Sequence, residues 1–287
     1  MNNLDLLVRE VDNFPTLPNV ATQALEELER EDCDFDEVAS LISLDPVLAG
    51  RVVRLSNSAF FGAAQRAETV EAAICRLGIV ECRNLILTVA LMTAIPDLPE
   101  PHNAKVFWTA SLASALIAEK IAADIGYSPC ERAYLAGLVH LIGEAVLAIQ
   151  FTERFRRAIS TSRADQIPFV PSLTEEFGYD HAAVSARILE HWSFRSEVIE
   201  AVRNQFSPSQ ARTDKLLPCL VVMADGVCRD EGLGLEDPTH AARAWTATLP
   251  ELAASALRAA GHAEIGEYLD SIEEQIKEAI DFASTVF

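Results

Sequence analysis

Ala136-Gly137-Leu138-Val139-His140-Leu141-Ile142-Gly143-Glu144-Ala145-Val146-Leu147 is the stretch that decides how this chain folds. It reads as the middle of a helix apolar on nearly every side, and such a helix is stable only at the centre of a domain, covered by others. One histidine sits inside it. A lone histidine in such a setting is most often a hydrogen-bonded core residue, and the alternatives are a metal ligand or a proton-transfer group.

Outward from this stretch, apolar residues recur at spacings of three and four from end to end, while strict alternation is nearly absent. The chain therefore reads as all-α. No period of about twenty to fifty residues repeats, which argues against a solenoid. Upstream, Pro15 and Pro18 mark a turn before a helix over Asn19 to Arg30, whose acidic continuation from Glu26 to Glu37 reads as a solvated face and loop. A second helix spans Phe35 to Ser43. Asp45 then caps a third with Pro46 in its first turn, and Leu48, Val52 and Leu55 form its apolar stripe. It ends in a polar corner, Ser56 to Gly62. Thr69 caps a fourth helix that closes at Gly78, and a fifth runs from Val80 to Ile95.

Pro96, Pro99 and Pro101 follow, the densest prolines in the chain, and mark a boundary between helical lobes. Beyond them, Lys105 to Ile125 reads as a long helix. Ser128-Pro129-Cys130-Glu131 matches a capping box that launches the helix of His140, and Ser172-Leu173-Thr174-Glu175 matches a second. Phe177-Gly178-Tyr179-Asp180-His181 is a turn into a helix over Ala182 to His191, followed by helices over Ser196 to Phe206 and Leu216 to Arg229. Arg154, Arg156, Arg157 and Arg163 are a dense basic group, expected to face solvent. The final helix, Ala263 to Ala283, aligns Ile265, Leu269, Ile272, Ile276 and Ile280, a stripe that packs on the chain's own core or serves as a homodimer seam. The organisation expected is an N-terminal lobe over 1–100, a second lobe over 101–235 and a C-terminal extension over 236–287.

Composition narrows function. With 287 residues, half of them hydrophobic, the chain can bury a large core. A formal net charge of -20 disfavours non-specific attraction to nucleic acid or to an anionic membrane surface, both of which need positive potential. The first residues, Met1 to Asp5, lack a basic n-region and a following apolar segment, and the most apolar run is broken by His140 and Glu144. A soluble, cytoplasmic protein is expected. Six scattered cysteines with no Cys-x-x-Cys pair imply reduced, mostly buried thiols and no disulfide framework.

No segment spells a nucleotide loop, a nucleophile elbow, a His-Glu-x-x-His helix or an EF-hand loop. The remaining chemical candidates are His140, His181, His191 and Asp225, far apart in sequence and all on buried-looking helices. Helices can bring such side chains together in a bundle core. Metal-dependent phosphoester hydrolysis would need about four to six His or carboxylate ligands in one place.

Several stretches together carry a family resemblance. Leu17-Pro18, Ile42-Ser43-Leu44-Asp45-Pro46, Arg54-Leu55-Ser56-Asn57-Ser58-Ala59, Ala73-Ile74-Cys75-Arg76-Leu77-Gly78, Phe107-Trp108, Ala136 to Gly143, and Phe177 to His181 occur in the order and approximate spacing of the HD-related output domain (HDOD) family. The chain resembles that family from about Val11 to Arg229. The resemblance implies two helical lobes, the C-terminal one related to HD-type metal-dependent phosphohydrolases, and a bacterial signalling role.

It also implies a comparison of ligand positions, in which this chain departs heavily from the hydrolases. Ala110 stands where a histidine usually follows the long helix's tryptophan. The defining His-Asp pair is His140-Leu141, and a later His-His pair corresponds to Gln205-Phe206. His140, His181 and Asp225 remain as remnant positions, so no metal, no cofactor and no catalytic residue are expected. The reading is a non-catalytic module, not an enzyme, that binds a signalling protein partner or a small ligand, with no direct contact to nucleic acid or membrane. Its contact surface is expected at Arg51, Arg54, Asn57, Ser58 and Arg66. The alternatives are a residual HD-type phosphodiesterase and a nucleotide-binding sensor. His140 is expected to be neutral and hydrogen-bonded in the core, to Asp225 or His181.

Overall fold

The computed structural model describes residues 16–28, 30, 32–61, 66–95, 97–100, 103–235, 237, 239 and 241–286. The expectations placed on Met1 to Asp5, Pro15, Gly62, Pro96 and Pro101 lie outside them. The described residues form α-helices with short 3-10 turns and no strand. They divide into two compact units, Pro15–Pro96 and Asp97–Thr285.

In the first unit the helices are α1 (Asn19–Leu28), α2 (Phe35–Ser43), α3 (Pro46–Ser56), α4 (Val70–Leu77) and α5 (Ile79–Ala94). Local chemistry sets their ends. The Asp45 carboxylate accepts from the backbone N–H of Val47 and Leu48, with Pro46 in the first turn, and Thr69 Oγ1 accepts from Ala72 N–H. Gly78 adopts φ +80°, which ends α4 and starts α5 without the penalty another residue would carry. Leu48, Val52 and Leu55 are buried as their spacing requires. The acidic run is not wholly solvated: Glu27 is buried and accepts hydrogen bonds from Arg30 Nη1 and the Asp34 N–H.

The second unit is built around α6 (Ala104–Asp124), against which pack α7 (Glu131–Val139), α13 (Leu216–Asp230) and α16 (Glu273–Thr285). Between them in sequence come α8 (Ile142–Gln150), α9 (Thr152–Asp165), α10 (Phe169–Phe177), α11 (His181–His191) and α12 (Ser196–Arg203), and α14 (Glu251–Ala259) and α15 (Ile265–Ser271) precede α16. Ala104–Asp124 and the combined run Glu131–Gln150 are long and apolar enough to cross a membrane, but 72% and 83% of their apolar windows are buried inside the protein. They are core helices.

Several expected details change. The central apolar helix is two helices, broken at His140-Leu141. The His140 carbonyl accepts from Ser185 Oγ (2.9 Å) and Gln205 Nε2 (3.2 Å), while the Gly143 N–H donates to Ser185 Oγ (2.8 Å). Side-chain partners therefore replace helical ones at the break. Ser128 is not the cap, since Cys130 occupies the N-cap and its thiol donates back to the Tyr127 carbonyl instead of capping the helix, and Ser172 lies inside α10, where its hydroxyl donates to the Ala158 carbonyl. The C-terminal helix breaks at Ile272, and α16 lies on α6 with Ile276 buried, so part of the proposed dimer stripe is covered by its own chain. Of the cysteines, Cys82, Cys219 and Cys228 are buried, but Cys75 is exposed and Cys33 and Cys130 are half-buried.

Two helix glycines explain how closely the core is assembled. A Cβ on Gly137 would lie 2.7 Å from the Ser114 carbonyl oxygen, and one on Gly143 would lie 2.3 Å from the His181 carbonyl oxygen. Only a hydrogen fits in either place, so α7 meets α6, and α8 meets α11, at backbone contact.

Candidate functional site

The break after α7 fixes His140 at the centre of the second unit, with no exposed surface. Its Nδ1 lies 2.6 Å from the Gly137 carbonyl, an acceptor only, so Nδ1 carries the proton and donates. The other ring nitrogen, Nε2, stands 3.3 Å from Asp225 Oδ1 on α13. That contact is within ion-pair range but lacks good hydrogen-bond alignment. His140 is in the core, but its hydrogen bond goes to the Gly137 carbonyl one helical turn back and not to Asp225 or His181 as expected; Asp225 is only an ion-pair neighbour.

Asp225 has a second neighbour one helical turn on. Arg229 Nη2 lies 2.7 Å from Asp225 Oδ2, an i,i+4 ion pair. Burial alone would push the Asp225 carboxyl up, but the Arg229 guanidinium and then the His140 ring outweigh it and hold the group well below the usual carboxylate range.

His181, the first residue of α11, is also buried, and neither ring nitrogen has a hydrogen-bond partner. Its Nδ1 is 3.9 Å from Glu144 Oε2 on α8, and its ring meets Phe206 edge-on at 5.2 Å. Burial lowers its pKa, with the Glu144 carboxylate acting in the opposite direction. Gln205 supports the backbone through the His140 carbonyl. His191 ends α11 and is exposed, not buried as its helix suggested, and takes no place in this cluster.

A divalent metal is what the HD-type relatives imply for this region. The donors present do not fit one. His140 pairs with Asp225 and His181 with Glu144, and among the described residues no three His, Cys, Asp or Glu groups converge. A guanidinium already neutralises Asp225. Leu141 and Ala110 instead line a small cavity of about 100 Å³ together with Glu144 and Phe107.

The predicted contact residues lie in the first unit. Arg54, Asn57 and Arg66 line an open groove of about 700 Å³ with Gly50, Val53 and Thr69. Asn57 shapes that groove: its amide donates to the Val53 and Ala67 carbonyls and accepts from Ala67 N–H and Arg76 Nη1. Arg54 donates to the carbonyl of Val286, a residue that groups with this unit. Arg51 turns toward Thr93 Oγ1 at 3.5 Å, and the Ser58 hydroxyl is buried without a partner, so neither lines the groove. Leu44 and Val47, 70% and 57% exposed, stand at the α2–α3 turn. The arginines of α9 do not simply face solvent: Arg154 and Arg157 pair with Glu176, and Arg154 also covers the Phe177 ring.

Sequence reasoning did not single out Glu144, Arg229, Ser185 or Gln205 for these roles. The four-residue spacing of Asp225 and Arg229 was a readable signal. The other three work across helices distant in sequence, and no local pattern announces them.

The described residues are thus all-helical, in two compact units, the second with a buried histidine at the break between two central helices. The HDOD domain model matches residues 14–208, and the chain belongs to the HDOD family. Among solved structures it is similar to an HDOD domain protein of unknown function from Geobacter sulfurreducens, with 26% identity, a TM-score of 0.83, and coverage of 98% of this chain and 97% of that one. A candidate phosphohydrolase from Shewanella amazonensis SB2B shares the fold at 24% identity and a TM-score of 0.76, covering 98% of each chain. An uncharacterised protein of Treponema pallidum (strain Nichols) is 24% identical over 196 residues, 67% of this chain. The chain spans 37% of the length of that relative.

Proposed function

We propose that this chain is a non-catalytic signal-transduction module that acts by binding a protein partner. The signalling role follows from the family, and the observation that carries the non-catalytic reading is the Arg229–Asp225 ion pair. It gives the one carboxylate beside His140 an internal cation, while the second histidine pairs with a different acid. Two separate histidine–carboxylate pairs cannot polarise and bridge a phosphoester as a metal cluster does.

The partner surface is the groove of the first unit, where Arg54 and Arg66 line the wall with Val53, while Leu44 and Val47 stand exposed at the α2–α3 turn of the same unit. Cations beside apolar side chains suit an acidic segment with an apolar anchor. Asn57 lines the groove with them and ties its wall to Ala67 and Arg76.

The test combines two measurements on purified protein. Elemental analysis should find iron, manganese and zinc below stoichiometry, and cyclic dinucleotides should remain uncleaved; a bound metal with turnover that His140→Ala abolishes would reverse the reading. Cross-linking followed by mass spectrometry should identify a partner that is lost from the folded Arg54→Glu/Arg66→Glu double variant. Retention of that partner would remove the groove from the proposal.

A further inference from the structure

Beyond partner binding, the second unit holds a cavity of about 480 Å³ that the foregoing roles leave unused. That volume lies within the range of small-molecule sites, about 300–1,000 Å³. Val222, Asp225 and Arg229 form one wall, spaced three and four residues apart on α13 so that they share a face. Phe206 and Trp245 contribute aromatic surface from two other segments.

Both aromatic walls are fixed. A Cβ on Gly226 would lie 2.3 Å from the Trp245 ring, so the indole rests directly on the α13 backbone, and its Nε1 donates to Asp230 Oδ2 at 3.0 Å. Phe206 is held edge-on by His181 and remains 36% exposed, which leaves ring surface open at the lining.

The polar groups are fixed too. Gln205 donates through Nε2 to the His140 and Val202 carbonyls, so Oε1 is the atom left to accept from a ligand. Arg229 commits Nη2 to Asp225, and the remainder of its guanidinium side chain, about a third exposed, lines the cavity. The cavity thus offers an acceptor and a guanidinium donor between aromatic surfaces. Asp225 cancels the charge of Arg229, and Asp237 adds a further acid at the lining, so free phosphate or another compact anion finds no net positive field.

We infer that this cavity binds a neutral heteroaromatic molecule of nucleobase or nucleoside size, its ring against Phe206 and Trp245 and its donor and acceptor edge toward Gln205 and Arg229. Rigid aromatic surfaces favour such rings by stacking, and fixed polar groups select the edge.

The experiment is isothermal calorimetry on the full chain with adenosine, guanosine, their monophosphates and inorganic phosphate. A nucleoside should bind with a Kd below about 1 mM, and inorganic phosphate should not bind. Phe206→Ala should weaken that binding roughly tenfold, the loss expected from one stacking surface. Thr248→Trp, at an exposed lining position whose hydroxyl donates to the Trp245 carbonyl, should block the cavity in protein that circular dichroism shows to be natively folded. The inference is overturned if no nucleoside binds natively folded protein, if only phosphorylated forms bind, or if both folded variants bind as the parent does. Partner cross-linking reads the groove of the other unit, so its outcome is independent of this one.

Discussion

Arg229 Nη2 lies 2.7 Å from Asp225 Oδ2, one helical turn away on the same helix, and this pair determines what the buried histidine beside it can do. The carboxylate is ionised and neutralised by a group of its own chain. Arg229→Met would leave Asp225 with only the His140 ring. Because the Arg229 side chain is about a third exposed, the cost is less than for a fully buried pair, about 1–3 kcal/mol. Urea denaturation of Arg229→Met, Asp225→Asn and the double variant measures it, and single losses that simply add in the double would show that the two residues do not couple.

His181 predicts the acid sensitivity of the fold. Its folded-state pKa is lowered by burial, so below about pH 6.5 the unfolded chain binds the proton and the folded chain does not. Stability therefore falls as pH drops from 7 toward 5, by up to about 1.4 kcal/mol per pH unit from this one group. His181→Phe should flatten that part of the profile. Since neither ring nitrogen has a hydrogen-bond partner, the variant should lose little stability at pH 7.5. Thermal melts of both proteins across this range decide the matter; parallel profiles would exonerate His181.

Asp225 acts at lower pH. Its pKa is depressed in the fold, so its contribution is present above about pH 4 and is lost as pH falls below that value. Asp225→Asn should remove this acid limb while leaving the limb of His181 in place, a separation visible in denaturant midpoints measured from pH 7 to pH 2.5.

Gly143→Ala tests the closest approach in the core. The new Cβ would sit 2.3 Å from the His181 carbonyl oxygen, an atom of the backbone that cannot swing aside. A destabilisation of at least about 2 kcal/mol is expected in chemical denaturation. Gly50→Ala, with nothing within 4 Å of the added carbon, should be neutral or stabilising in α3 and serves as the control.

Asn57→Ala separates architecture from recognition in the first unit. Its side chain joins the end of α3 to Ala67 and Arg76 by three hydrogen bonds and closes the helix on the Val53 carbonyl with a fourth. Its removal should cost about 2–4 kcal/mol, whereas Arg66→Glu, at an exposed position, should change stability by less than about 0.5 kcal/mol. Equal effects in thermal melts would contradict the assignment of Asn57 as a clamp.

Much of the fold was legible in the sequence because it is written in local chemistry. Apolar periodicity, Asp45-Pro46, Thr69, Gly78 and Asp180 act on their own backbone neighbours, so their helix ends fall where the residues place them. The matches at Ser128 and Ser172 failed for a complementary reason: a hydroxyl follows whatever acceptor the packing offers, and Ser172 found the Ala158 carbonyl on another helix. The break at His140 was invisible because the run from Ala136 to Leu147 holds no proline and its two glycines, Gly137 and Gly143, lie within the helices on either side of the break and not at it. Ser185 and Gln205, from distant helices, supply the hydrogen bonds that make the interruption stable.

The sequence by itself thus determined the all-helical class, the family and the isolation of one histidine in an apolar run, since each depends on residue order alone. Only the tertiary structure decided what surrounds that histidine. Gly137, Asp225, Arg229, Glu144 and His181 come together through helix packing, and the resulting division into two histidine–carboxylate pairs depends on angstrom-scale separations that no spacing along the chain encodes.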